Sequence, residues 1–179
     1  KLKKKWTISS ISLTNTYLDS KIKLTLIEIS KIKKILFSSV VPNAFQLMKK
    51  FLIKKNKKFK IYELKQIDLK KLIKLKVNRK QVGSDRIANA IGVINNNKNY
   101  IVIDFGTATT FDVIIDKTYL GGVIAPGVKL SLENLSNKAS LIPKIKLSKI
   151  SSVIGTNTSE AVKSGFFWGY LGLIDNIIK

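Results

Sequence analysis

The sequence contains no cysteine and no histidine among its 179 residues. Without cysteine there is no disulfide framework, no thiolate metal site and no thiol nucleophile. Without histidine the commonest general base and the commonest transition-metal ligand are also missing. Acid–base chemistry near neutral pH must therefore fall to Asp, Glu, Lys or Tyr. Acidic residues are scarce, 11 against 33 basic ones, for a net charge of +22. Uninterrupted apolar runs of membrane-spanning length are missing too. Ala161 to Ile178 is fairly apolar, but it contains Lys163 and Asp175 and is cut by Gly165, Gly169 and Gly172. A transmembrane span should lack such charges, so no membrane partner is expected. Lys1 to Lys5 are basic, but no apolar segment of signal-peptide type follows, and a cytoplasmic location is expected.

The excess of positive charge invites a nucleic-acid reading. Two observations weaken it. All but two of the basic residues are lysine, and Ile and Asn are also abundant, as in Asn95-Asn96-Asn97-Lys98-Asn99. These residues share A/T-rich codons, so base composition is a sufficient cause. The charge is also uneven: residues 1–80 hold 23 basic and 4 acidic groups, net +19, and residues 81–179 hold 10 and 7, net +3. The nearly neutral half is the one that carries the glycine motifs, and nucleic acid is not expected as a partner.

Length and a hydrophobic share of 45% fit a globular protein of one or two small domains. In the first half, Trp6 to Leu13 alternates weakly and predicts a strand. Leu24 to Ile35 reads as a helix, or as a helix leading into a strand. Ile35 to Pro42 reads as a buried strand ended by proline. Asn43 to Ile53 has helical spacing in Phe45, Leu47, Met48, Phe51 and Leu52, and Phe59 to Tyr62 suits a short strand. In the second half, Ser84 or Asp85 can cap a helix through Ile94. Tyr100 to Asp104 and Phe111 to Ile115 read as strands, with Asp116-Lys117-Thr118 turning the chain toward Tyr119. A glycine-rich strand over Gly121 to Gly127, a helix over Val128 to Leu135 and a last helix over Ser159 to Ile178, capped by Thr158, complete the pattern.

The richest stretch is Ile101-Val102-Ile103-Asp104-Phe105-Gly106-Thr107-Ala108-Thr109-Thr110. An apolar β-branched run ends on a carboxylate, and a glycine and three hydroxylic residues follow. Such a turn can hold a cation and phosphate oxygens together; it is also an ordinary β-turn with Asp104 as turn former. Gly83-Ser84-Asp85-Arg86 places an acid and a base at a helix start, where anions are favoured, and it equally suits a plain N-cap. Gly121-Gly122 with Pro126-Gly127 marks close backbone approach or turns. Ile154-Gly155-Thr156-Asn157-Thr158 offers a cap or a ligand clamp. Gly165, Gly169 and Gly172 bare one face of the last helix, which by default means close packing against another element.

These elements, in order, resemble type III pantothenate kinase: Val82 to Ala90, Ile103 to Asp112, Tyr119 to Gly127, Val153 to Thr158, and Gly165 to Tyr170. Ser38-Ser39-Val40-Val41-Pro42 is similar to an earlier strand end of that family. The resemblance is dense from 82 to 178 and sparse before it. It implies an α/β chain with the actin-like ATPase (ribonuclease H-like) fold, two similar domains of mixed sheets flanked by helices. Residues 1–80 would be the remainder of the first domain and 81–179 the second. It implies ATP-dependent phosphorylation of pantothenate, the first step of coenzyme A synthesis, with ATP, Mg2+ and K+ or NH4+, in a homodimer. Asp85 matches the general base. Gly83, Ser84 and Arg86 match the rest of the pantothenate-contacting turn, with Ser84 in place of the usual alanine, and Thr158 matches a further pantothenate contact. Gly106 and Thr107 match the ATP-contacting turn, and Asp104 matches the monovalent-cation ligand.

The sequence also departs from the family. No Asp-x-Gly-Asn-Thr phosphate turn precedes Trp6, no Thr-Gly-Gly turn follows Ile178, and Lys76 with Asn78-Arg79-Lys80 stands where a tyrosine and an Asn-Pro-Arg turn are usual. The chain is therefore expected to be truncated at both ends. Asp104-Phe105-Gly106 also matches the metal motif of protein kinases, but there is no His for a catalytic loop and no glycine-rich loop before a Val-Ala-x-Lys strand. Two alternatives stay open at this level: a non-enzymatic relative acting as a transcriptional accessory factor, and an inactive truncated kinase.

Overall fold

The structure is a computed structural model that describes residues 13–25, 31–94 and 98–179. The chain divides into two compact units, Lys1–Gly92 and Val93–Lys179. The division falls close to the end of the helix carrying Asp85, whereas the sequence reading divides before that helix, at 80.

In the first unit, helix α1 (Asn15–Thr25) precedes strand β1 (Lys34–Phe37), helix α2 (Pro42–Lys55), strand β2 (Lys60–Glu63), a 3-10 turn (Leu64–Gln66), the two-residue strand β3 (Lys74–Leu75) and helix α3 (Ser84–Val93). β1 and β2 pair in parallel from Lys34↔Lys60 to Phe37↔Glu63. A parallel pair needs a crossover, and α2 supplies it. Its apolar stripe buries Phe45 and Phe51, and Phe45 meets Phe37 edge to face at 5.1 Å. Phe59, Leu64, Leu69, Ile73, Ile87 and Ala90 are buried in the same unit. The expected strand over Ile35 to Val41 is shorter than its apolar run. It stops at Phe37, and Leu36, Val40 and Val41 are exposed. Pro42 opens α2 instead of closing the strand, because its missing N–H is one that the first helical turn leaves unpaired anyway. The strand expected over Trp6 to Leu13 lies almost wholly outside the described residues.

In the second unit, β4 (Tyr100–Phe105), β5 (Ala108–Ile115) and β6 (Thr118–Pro126) form an antiparallel meander with β5 in the middle; α4 (Val128–Lys138) and α5 (Thr158–Ile178) follow. Asp116 and Lys117 make the β5–β6 turn, both with positive φ (46° and 60°), as the twist of a two-residue hairpin demands. The register shifts by one residue between Val113 and Ile114, opposite Gly121, whose φ of 119° suits only glycine. Phe111, Ile114, Tyr119, Ala125 and Leu132 are buried. The Tyr170 hydroxyl on α5 donates to the Pro126 carbonyl at 3.0 Å and lies 3.2 Å from the Ser131 hydroxyl of α4. This bond ties the last helix to its own sheet. Among the described residues no helix is long and apolar enough to cross a membrane.

The cap of α5 is Asn157, not Thr158. The Asn157 side chain accepts from the Glu160 N–H at 3.0 Å, and Thr158 is the first helical residue. Glu160 reaches back to accept from the Thr156 N–H (2.9 Å) and hydroxyl (2.8 Å), a reciprocal arrangement of the capping-box kind. Those bonds from Thr156, first to its backbone and then to its side chain, hold the Glu160 carboxyl below its ordinary pKa. A lowered carboxylate stabilises the fold above its unfolded pKa, and that contribution is lost as pH falls through the folded value. Glu160→Gln should therefore flatten the acid limb of α5 unfolding, read as helix amide exchange against pH. An unchanged acid limb would show that the cap does not hold the helix.

Candidate active site

The residues singled out by sequence gather at three element termini. The first is the start of α3. Asp85 is exposed in the first helical turn, and its Oδ1 accepts the Arg86 N–H at 2.9 Å. Gly83 lies directly under that carboxylate: a Cβ there would collide with Asp85 Oδ1 and touch Val40 at 3.5 Å. The glycine thus lets the carboxylate fold back over the turn. Ser84 is fully buried and its hydroxyl donates to the Ser39 carbonyl at 2.8 Å. Its side chain is an anchor between α3 and the β1–α2 connection, which leaves only its backbone for a ligand. Neither Ser84 nor Asp85 serves as the helix cap expected from sequence, since both lie inside α3. Arg86 is half-buried. An exposed carboxylate at a helix N-terminus can take a proton from a hydroxyl while the positive end of the helix favours the anion that forms.

The second terminus is the β4–β5 hairpin. The expected five-residue threonine-rich turn is much tighter, with only Gly106 and Thr107 outside the strands. Gly106 N–H donates to the Ala108 carbonyl at 2.9 Å, and Gly127 N–H donates to the Thr107 carbonyl at 3.1 Å. Gly127 fits so closely that a Cβ would overlap the carbonyls of both Thr107 and Gly106. Gly106, Thr107 and Asp104 are exposed, whereas Thr109 is fully buried. The strand alternation that turns Thr109 inward removes it from any ligand, because β5 begins earlier than its apolar run suggests. Asp104 stands opposite Thr110 in the ladder.

The third terminus is the start of α5, where Thr158 is exposed. Gly155 presses against the backbone of Glu160 and Ala161, so its loop packs onto the helix start. A feature that the sequence reading missed is the fully buried Asp112, to which the Tyr119 hydroxyl donates at 2.6 Å. Its signal is present in the sequence: an acid in the middle of an otherwise apolar strand must be paired.

Asp104 and Thr107, both exposed at this hairpin, offer a carboxylate and a hydroxyl as oxygen donors with one negative charge between them. Hard, oxygen-only donors with a single negative charge suit a univalent cation. For Mg2+, the described residues gather no group of three or more acidic side chains, and no ligand in this chain is assigned to it.

Comparison with known proteins follows the same lines. The family model described as type III pantothenate kinase matches residues 1–179. The type III pantothenate kinase of Pelagibacter ubique is 64% identical over 148 residues, covering 83% of this chain and 59% of its own length. The corresponding protein of Jannaschia sp. is 53% identical over 98 residues, 54% of this chain and 38% of its own length. That of Dinoroseobacter shibae is 52% identical over 99 residues, 54% of this chain and 39% of its own length. The chain thus spans less than two thirds of these relatives. Among solved structures, a Campylobacter jejuni protein described as belonging to the Baf family of transcriptional activators superposes with a TM-score of 0.53 at 23% identity, over 89% of this chain and 68% of that one. At that identity the likeness speaks for the fold alone.

Proposed function

This chain belongs to the type III pantothenate kinase family, and from that membership we propose that the protein it represents transfers the γ-phosphoryl group of ATP to the primary hydroxyl of pantothenate, giving 4'-phosphopantothenate for coenzyme A synthesis in the cytoplasm. The observation that carries this reading is the Asp85 carboxylate, exposed and folded over Gly83 at the start of α3. Asp85 accepts the hydroxyl proton as the oxygen attacks phosphorus. Arg86 holds pantothenate on that turn together with the backbone of Gly83 and Ser84, and Thr158 makes a further contact. Gly106 and Thr107 receive ATP, with Asp104 holding potassium or ammonium, whose positive charge offsets that of the phosphates. Mg2+ accompanies ATP. We assign the two α/β domains of the actin-like ATPase fold to the two compact units.

The test is pantothenate-dependent ADP formation in potassium buffer by the protein completed to the length of its relatives. Turnover that needs pantothenate and ATP is expected. DNA binding with a steep salt dependence and no such turnover would overturn the reading in favour of a nucleic-acid role for the lysine-rich residues 1–80.

We further propose that the protein works as a homodimer joined through α5. Among the described residues a Cβ at Gly165, Gly169 or Gly172 would meet nothing within 4 Å, so the close packing expected for this glycine row is not found among them. Trp168 and Leu171 beside it are each 40% exposed. Phe166 and Tyr170 stack at 6.1 Å, and Tyr170 is engaged with Pro126, so these two aromatics serve the chain's own packing. Gly169→Leu puts a branched side chain where the partner's backbone should lie, at about 1–3 kcal/mol. The completed protein carrying it should run as a folded monomer in light-scattering chromatography. Persistence of a dimer with unchanged affinity would refute the interface.

A further inference from the structure

We propose that Thr110 is a second ligand of the cation at Asp104, its hydroxyl oxygen completing a cradle on one face of the β4–β5 ladder. The inference rests on the reading of Asp104 as a cation ligand. Asp104 and Thr110 are direct partners in the antiparallel register. Direct partners project to the same face, with Cβ atoms about 4.5–5.5 Å apart, a separation that two oxygen ligands of one ion can bridge. Thr110 Oγ1 is shielded from solvent, and among the described residues it has no hydrogen-bond partner. Buried hydroxyls are normally satisfied, and one that is not calls for an ion, a water or a ligand. A hydroxyl brings two lone pairs and no charge, which is what a univalent ion needs once Asp104 has balanced its charge.

The surroundings favour this assignment. On the other side of β5, Thr110 faces Ile124 in the register, an apolar residue that offers no competing donor. Two residues along the same face of β5, Asp112 is fully buried and held by the Tyr119 hydroxyl. That bond holds β5 to β6 two residues from Thr110. Thr109 supplies an internal comparison. Among the described residues its Oγ1 is likewise buried and without a hydrogen-bond partner, but strand alternation places it on the opposite face from Asp104.

The experiment is a thermal unfolding titration of this chain with potassium chloride, replacing choline chloride at constant ionic strength. Thallium(I) NMR serves as the direct probe of the ion. Each variant is referred to its own potassium-free midpoint, so a general loss of stability does not enter. Thr110→Val should weaken potassium by about ten-fold or more, the usual scale for losing a group that shapes a metal site. Thr110→Ser, which keeps the hydroxyl, should restore binding to near the unaltered level, and Thr109→Val should leave it unchanged. Asp104→Asn should abolish it. If Asp104→Asn abolishes binding while Thr110→Val leaves it intact, the proposal is overturned and the Asp104 reading stands. If Asp104→Asn leaves binding unchanged, or the unaltered chain shows no potassium response, both fall.

Discussion

Asp85→Asn should lower kcat for pantothenate phosphorylation by about 10²-fold or more and leave KM for ATP nearly unchanged. That loss corresponds to about 2.7 kcal/mol of transition-state stabilisation. The substitution is nearly isosteric. The amide oxygen of asparagine can keep accepting the Arg86 N–H, which Asp85 Oδ1 accepts at 2.9 Å, so the turn retains its geometry. Proton acceptance is what is lost. Because Asp85 is exposed, folding stability should stay within about 0.5 kcal/mol. A stopped-flow or coupled assay on the protein completed to the length of its relatives checks the split. Near-normal kcat would leave Asp85 as a helix-terminus residue that favours the dipole and does no chemistry. A fall in kcat accompanied by a matching loss of thermal stability would assign the effect to the fold.

The other large effect is expected at Gly127. Its backbone angles, φ −74° and ψ 141°, suit any residue, so the objection to a side chain is steric and not conformational. A Cβ at this position overlaps the Thr107 and Gly106 carbonyls. Backbone cannot rotate away as a flexible side chain can, so Gly127→Ala must move the β4–β5 turn or break the Gly127 to Thr107 hydrogen bond of 3.1 Å. We expect destabilisation of about 1–3 kcal/mol, equivalent to several degrees of Tm at this size, together with a rise in KM for ATP. Gly106→Ala is the informative contrast. Its Cβ would meet only the Ala108 carbonyl at 3.6 Å, ordinary contact. It should keep Tm while raising KM for ATP, because the only thing a side chain there obstructs is a ligand. If Gly106→Ala binds ATP normally, the hairpin is a structural turn and the nucleotide lies elsewhere.

Local sequence pattern was enough for the α/β class, the helix over 43–53, the three-stranded run from Tyr100 to Pro126 and the terminal positions of Asp85 and Asp104. Those features rest on local physics: period-3.6 and strand-type apolar patterns, turn residues with positive φ, and glycine where backbone must come close. What it left open is where neighbouring segments decide. Three adjacent good caps, Thr156, Asn157 and Thr158, are equivalent by propensity, and the choice of Asn157 depends on Glu160 reaching back to Thr156. Ile35 to Val41 is apolar enough for a longer strand, but pairing with β2 ends at Phe37. The threonines after Gly106 look alike in sequence. Only the antiparallel register turns Thr109 inward and sets Thr110 opposite Asp104. The glycines of α5 have the spacing of a packed face, yet among the described residues nothing lies within 4 Å of where their Cβ atoms would be. Tyr119 and Asp112 are seven residues apart and meet only because a tight hairpin folds β6 onto β5. In each case local propensity leaves several states close in energy. The contact that selects one of them comes from a part of the chain beyond the reach of local pattern.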